Sequence, residues 1–469
     1  MAILRVAMAL IVLLLAACQS TQVVMNQPLP RDAAGAPVYT PGYTLPGLIK
    51  DPDNEILVAL AFSGGGKRSA AFAYGTLKGL RAMQVVDRGR ARPLLSDVLY
   101  ISSVSGGGFP AAYYGLYRDR IFTDFDHDFL RRDINAFIFG IFLLPWNWEW
   151  LINPLFGTND AMAEVYNRLM YHGATYADLY RRGLPMISVD ATDIAGSTAF
   201  PFNQSSFDLL CSNLLDFPVA RAVAASAGFP ILFSPITLES HREQCLNYPP
   251  PGAPPPGAAD GALSRRSALA ANDARLMDPQ RTAYVHLLDG GIADNLALRS
   301  LSNALITVDD NDEIIRKLAR HTRRVIVISV DGQAATDPTL GQRRIVSGIG
   351  QIFAAVSGAQ INSYNFETLL LADQQVGALT DKIRTARCAE AKTIDGHDCG
   401  DVKGALIQIS LAGIADAEKR RRLQAIPTSL TLPDDDVDAL VAEGEYLVQT
   451  DPKLRSLISD LQPQATARR

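Results

Sequence analysis

Apolar residues in this chain gather in short unbroken runs rather than alternating with polar ones. Residues 55–62 read Glu-Ile-Leu-Val-Ala-Leu-Ala-Phe. An apolar run of about four to eight residues, closed by glycines, predicts a strand buried on both faces. Further runs of this kind lie at 97–101, 186–189, 284–288, 325–330 and 405–409. Helical spacing follows the first run over 70–83 and the second from about residue 109, and it returns at 352–371, 434–449 and 452–461. Strands alternating with helices predict an α/β fold with a mostly parallel central sheet. No repeat of solenoid type is present, and no break in composition forces a second domain.

The N-terminus follows a different pattern. Arg5 precedes an uncharged apolar run over residues 7–15, and Leu15-Ala16-Ala17-Cys18 follows at once. A basic residue, a short apolar stretch and small residues at a cleavage point mark a secretory signal. The run is too short to cross a bilayer core of about 30 Å. The four residues ending in Cys18 resemble a bacterial lipobox, whose cysteine thiol takes a diacylglycerol before cleavage. Residues 1–17 are therefore expected to be removed, with Cys18 anchoring the protein to the bacterial cell envelope through its acyl chains. Gln19 is not acidic, which favours the outer membrane. Residues 18–50, rich in Pro, Gly, Gln and Thr, read as a flexible tether, and 51–462 as one folded unit.

Two stretches of that unit read as insertions. One, at 136–156, holds all three tryptophans, Trp146, Trp148 and Trp150. Trp suits the water–lipid interface, so this stretch is either a lid that delivers acyl chains or a hairpin packed on the core. The other, at 248–271, is rich in Pro, Gly and Ala and reads as a surface excursion.

Composition narrows the function. The 469 residues are 48% apolar and carry a net charge of −5 with no long basic run. That permits a sizeable core and disfavours a nucleic-acid partner, which needs clustered positive charge. Cys211, Cys245, Cys388 and Cys399 remain once Cys18 is set aside. They allow three pairings in an oxidising compartment. Nearness in sequence favours Cys388 with Cys399, leaving Cys211 with Cys245. No CxxC pair or other clustered ligand set occurs, so no metal and no cofactor are expected.

Chemistry concentrates at three turns, each after an apolar run. The first is Ser63-Gly64-Gly65-Gly66-Lys67-Arg68-Ser69. Glycines before a helix expose consecutive N–H groups at its positive end, a site for an anion. Nucleotide loops fail on spacing: a Walker loop needs Gly at 61 and Ser or Thr at 68, where Ala61 and Arg68 stand, and a dinucleotide loop needs Gly at 69, where Ser69 stands. An oxyanion hole or a structural turn is left. The second turn, Ser103-Val104-Ser105-Gly106-Gly107, approaches the G-x-S-x-G elbow that lifts a reactive serine out of the backbone. The third is Leu288-Asp289-Gly290-Gly291. A carboxylate buried at a strand end binds and deprotonates a hydroxyl more readily than a solvated one. None of the six histidines sits in a motif. His286 lies three residues before Asp289, an odd separation that turns the two side chains to opposite faces of a strand.

The three turns in this order resemble the patatin-like phospholipase family, with its G-G-G-x-R/K, G-x-S-x-G and D-G-G/A motifs. Residues 222–235, Ala-Val-Ala-Ala-Ser-Ala-Gly-Phe-Pro-Ile-Leu-Phe-Ser-Pro, resemble a fourth family stretch. Ser63 stands where the family often has an acidic residue, and Ser103 replaces the first elbow glycine. The resemblance covers roughly residues 55–335. It implies a three-layer patatin-like fold and a Ser–Asp dyad without histidine. Ser105 would be the nucleophile and Asp289 the base. The amides of Gly64, Gly65, Gly66 and Gly106 would form the oxyanion hole, and Arg68 would orient the glycine loop. Asn295 also recurs in the family pattern and receives no role. The implied activity is that of a lipid acyl-ester hydrolase of the phospholipase A type. Lysophospholipase, thioesterase or acyltransferase chemistry, and a non-catalytic lipid-binding lipoprotein, are the alternatives.

Overall fold

The six apolar runs at 55–62, 97–101, 186–189, 284–288, 325–330 and 405–409 become strands of one eight-stranded sheet in the computed structural model. The structure describes residues 25–39, 42–49, 54–87, 90–136, 156–230, 232–253, 264–309, 311–334, 342, 344 and 349–461. In chain order the main elements are β1 (Ile56–Phe62), α1 (Gly66–Ala82), β2 (Val98–Val104), α2 (Gly108–Tyr117) and α3 (Thr158–Tyr166). Then come β3 (Met186–Asp193), β4 (Thr198–Pro201), α4 (Val219–Ser226), β5 (Ile236–Glu239), α5 (Arg265–Met277) and β6 (Tyr284–Leu288). The chain ends with β7 (Arg324–Asp331), α6 (Ile349–Glu390), β8 (Lys403–Ser410), α7 (Asp434–Thr450) and α8 (Pro452–Ser459).

The strand order is β8-β7-β1-β2-β3-β6-β5, with β4 paired to β3. The strands from β8 to β3 run parallel, whereas β6 pairs antiparallel with both β3 and β5, and β4 pairs antiparallel with β3. In the parallel part, β1, β2, β3 and β7 are buried almost throughout, as their unbroken apolar sequence requires. β6 differs from its predicted character. Tyr284 and His286 are exposed while Val285 and Leu287 are buried, the alternation of an antiparallel strand with one wet face. Connections β1–α1–β2 and β2–α2–β3 step one way along the sheet, and β7–α6–β8 steps the other way. Right-handed crossovers then place α1 and α2 on one face and α6 on the other, giving three layers. α7 packs along α1, adding a second helix to that face.

Two boundaries read from composition are corrected. Residues 25–39 and 42–49 are not part of a tether. Gln27–Pro28 pairs with Ser212–Asn213, and Leu29, Tyr43, Leu45, Leu48 and Ile49 are buried. The Tyr43 hydroxyl accepts the Ile187 N–H at 2.7 Å, deep in the sheet. Pro and Gly content hid a sparse set of apolar anchors that tie this segment down. The excursion at 248–271 also ends earlier than expected, because α5 begins at Arg265, capped by Ser264. Cys18 and residues 137–155, with the three tryptophans, lie outside the described residues. The cysteines pair as Cys211–Cys245 and Cys388–Cys399. No described helix is long and apolar enough to cross a membrane.

Candidate active site

Parallel strands direct their C-terminal ends to one edge, where the loops to the next helices collect. β1 there delivers the glycine loop and β2 delivers Ser105. Ser105 adopts φ 49°, the left-handed region that non-glycine residues avoid. Such a conformation persists only when its surroundings impose it. The Ser105 N–H donates to Ser226 Oγ at 2.8 Å, and that hydroxyl donates to the Asp190 carbonyl at 2.6 Å. The elbow is also tight. A Cβ on Gly106 would overlap the Gly66 backbone, and one on Gly107 would come within 2.6 Å of Phe62. Ser103, standing in for the usual glycine, is buried with its hydroxyl on the Ser188 carbonyl at 2.9 Å.

Asp289 reaches the serine from the end of β6. Ser105 Oγ donates to Asp289 Oδ2 at 2.9 Å, and Asp289 Oδ1 accepts the Gly291 N–H at 2.8 Å. The backbone around it is fixed by Asp289 N–H to Gly228 O and Gly290 N–H to Ser226 O, both 3.0 Å, and by Thr192 Oγ1 to Asp289 O at 2.8 Å. Burial raises the Asp289 pKa from 3.8 to about 6, against the lowering pull of the Gly291 N–H and the Ser105 hydroxyl. Beneath the elbow a second buried carboxyl, Asp190, accepts Ser102 Oγ at 2.8 Å and Ser188 Oγ at 2.6 Å. Desolvation raises it to about 7. None of the histidines hydrogen-bonds Ser105 or Asp289. His286 is exposed, 3.0 Å from Thr237 Oγ1.

The glycine loop packs directly against the elbow. A Cβ on Gly64 would lie 3.3 Å from Ser105 Cβ. Gly65 takes φ 137°, which only glycine adopts readily, and Gly66 takes φ 60°, in the left-handed region that favours glycine. Their N–H groups, and that of Gly106, have no acceptor among the described residues. Gly64 is different: its N–H donates to the Asn295 carbonyl at 2.9 Å. That amide is spent, so Gly64 leaves the expected oxyanion set. Asn295 thereby ties the third motif to the first. Arg68 is buried and donates to Gly332 O, Ile426 O and Thr428 Oγ1. Desolvation lowers its pKa to about 10, opposed by the Asp331 charge.

Sequence reasoning missed Ser226 and Asn295 as members of this cluster. Both lie in stretches that fit the family pattern, but serine and asparagine in a loop carry no chemical signal of their own. No group of three His, Cys, Asp or Glu able to hold a metal occurs among the described residues. A recess of about 520 Å³, lined by Tyr117, Tyr171, His172, Asp178 and Arg181, lies at the far end of α2 from Ser105.

The family model described as patatin-like phospholipase matches residues 60–302, just over half of the chain. A search of curated proteins returns no match. Among solved structures, VipD from Legionella pneumophila is similar at 12% identity, over 95% of this chain and 72% of that one, with a TM-score of 0.29. A likeness that remote carries no argument, and the assignment stands on the family model alone. The family acts on lipid acyl esters. The chain belongs to the patatin-like phospholipase family.

Proposed function

We propose that the protein is a lipid acyl-ester hydrolase of the phospholipase A type, working through a Ser105–Asp289 dyad. The observation that carries this reading is the 2.9 Å hydrogen bond from Ser105 Oγ to Asp289 Oδ2, made by a serine held at φ 49°. Asp289 takes the hydroxyl proton as Oγ attacks the ester carbonyl. The carbonyl's electron pair moves onto oxygen, where the open amides of Gly65, Gly66 and Gly106 receive it. Removing one such donor typically costs about 10²–10³ in kcat. The intermediate collapses to an acyl-enzyme, and Asp289 returns the proton to the departing alcohol. Water, deprotonated by the same carboxylate, then attacks the acyl-enzyme; the acyl–Oγ bond breaks, Asp289 returns the proton to Ser105 Oγ and the fatty acid leaves.

A fluorophosphonate probe tests the nucleophile. Labelling of the wild type that disappears in Ser105→Ala is expected; labelling that persists places the reactive hydroxyl elsewhere. Mass spectrometry of products from mixed phospholipids, with Asp289→Asn as control, separates phospholipase A from lysophospholipase, thioesterase and acyltransferase chemistry. A wild type that binds lipid and releases no product would make it a non-catalytic lipoprotein.

The proposed setting is the bacterial cell envelope, on the outer membrane, with Cys18 as the lipid anchor. The mass of the N-terminal peptide from the membrane fraction checks this: an unmodified Cys18 refutes it.

A further inference from the structure

Residues 426–429 lie far beyond the family match, which ends at residue 302. Yet they sit on the glycine loop. The buried Arg68 guanidinium spans the gap: Nε donates to Gly332 O at 2.7 Å, one Nη to Ile426 O at 2.5 Å and the other to Thr428 Oγ1 at 3.1 Å. The Lys67 N–H donates to Ser429 O at 2.8 Å. A Cβ on Gly66 would come within 2.8 Å of that same oxygen. On its other side the segment is tied by Thr431 Oγ1 to Asp133 Oδ1 at 2.9 Å, and it leads into α7, which packs along α1.

The first turn of a helix presents orphan N–H groups. Here Ser429 takes that of Lys67, and Asn295 takes that of Gly64, just before the helix. Between them the amides of Gly65 and Gly66 stay open. Oxyanion stabilisation depends on donors fixed before the charge develops. Three consecutive glycines have the least intrinsic resistance to movement, so that fixity has to come from outside the loop. The planar guanidinium fork suits the task, because it holds several acceptors in one geometry.

We infer that residues 426–429 clamp the glycine loop, and that Thr428, acting through Arg68, is a positioning residue for the oxyanion donors. The C-terminal third of the chain then takes part in the chemistry as well as completing the fold. This rests on the reading of Gly65 and Gly66 as oxyanion donors.

The test uses the full chain as wild type, Ser105→Ala, Thr428→Val and Arg68→Lys. Valine keeps the threonine shape without the acceptor. Lysine keeps the charge but cannot bridge Gly332 and Ile426 together. The readouts are kcat and KM on a soluble short-chain ester, the thermal midpoint, and the Ki of a trifluoromethyl ketone. That ketone bonds to Ser105 Oγ, passes the hydroxyl proton to Asp289 and leaves an oxyanion on its former carbonyl oxygen. Thr428→Val is expected to lower kcat about tenfold and Arg68→Lys about 10²-fold, with KM unchanged and Ki raised by the factor that kcat/KM falls. A merely structural role would shift the thermal midpoint without that proportionality. Thr428→Val that folds with kcat and Ki unchanged overturns the clamp, and it decides the matter even if Arg68→Lys does not fold. A wild type with no Ser105-dependent turnover overturns the catalytic reading underneath, and the clamp with it.

Discussion

Asp289→Asn should make the protein less active and, above pH about 6, more stable. The two side chains have the same shape. An asparagine keeps the Gly291 N–H on its carbonyl oxygen and reverses the other bond, its NH₂ donating to Ser105 Oγ, while the serine hydroxyl gives up its carboxylate acceptor, a cost that does not vary with pH. What changes with pH is the charge. Burial moves the Asp289 pKa from 3.8 to about 6. At about 1.4 kcal/mol per tenfold in proton affinity, the ionised carboxylate costs the fold ~3 kcal/mol. The unfolded carboxyl ionises near 3.8, while the folded one keeps its proton up to about 6. Below the first value both states are protonated and the wild type carries no penalty. Between the two its stability falls as pH rises, and above about 6 the whole cost is present. Asn has no such dependence. The variant's stability relative to wild type is therefore lowest at pH about 4 and grows by ~3 kcal/mol by pH about 7. Urea unfolding followed by circular dichroism across that range measures it. Turnover of a soluble ester should fall at least about 10²-fold with the base removed. An advantage that does not grow with pH, or a variant no more stable than wild type at neutral pH, would refute the reasoning.

Other outcomes follow from the same geometry. For the wild type, kcat/KM on a soluble ester should rise with pH through about 6 and then stay flat, as Asp289 loses its proton; a profile indifferent to pH between about 5 and 7 would exclude this carboxylate as the base. Ser226→Ala leaves the buried Ser105 N–H without its 2.8 Å acceptor. A loss of about 1–3 kcal/mol in stability is expected, together with lower kcat at unchanged KM. Ser226→Thr, which retains a hydroxyl, should recover part of both, and denaturation and kinetics on the three proteins decide it. Cys211 and Cys245 close a loop across a separation of 34 residues. Replacing both by Ser should lower stability by about 3–4 kcal/mol, and equal urea midpoints with and without the bond would contradict this.

Much of the fold can be read from the sequence because buried parallel strands have to be continuously apolar. β1, β3 and β7 declare themselves in this way. Ser105 and Asp289 are legible for a related reason: each stands at the end of such a run, beside glycines that only a forced turn requires. Contacts made by backbone are not legible. Gly64 looks the same as Gly65 until the Asn295 carbonyl is seen to occupy its amide. Ser429 acts through its main-chain oxygen, so its identity carries no trace of the role. The packed stretches at 25–39 and 42–49 are obscured by composition, since their five apolar anchors are scattered among prolines and glycines and only Leu45, Leu48 and Ile49 share a helical spacing, over a single turn. Asp190, inside β3, interrupts an apolar run and signals only that something polar must meet it.

The docked N-terminal segment sets a working distance. Between Cys18 and Met25, the first described residue, lie seven peptide steps, which at full extension reach only about 25 Å. A free chain to residue 50 would have allowed roughly 100 Å. With the proposed anchor in place, the hydrolase is kept on a short leash close to the leaflet that holds it.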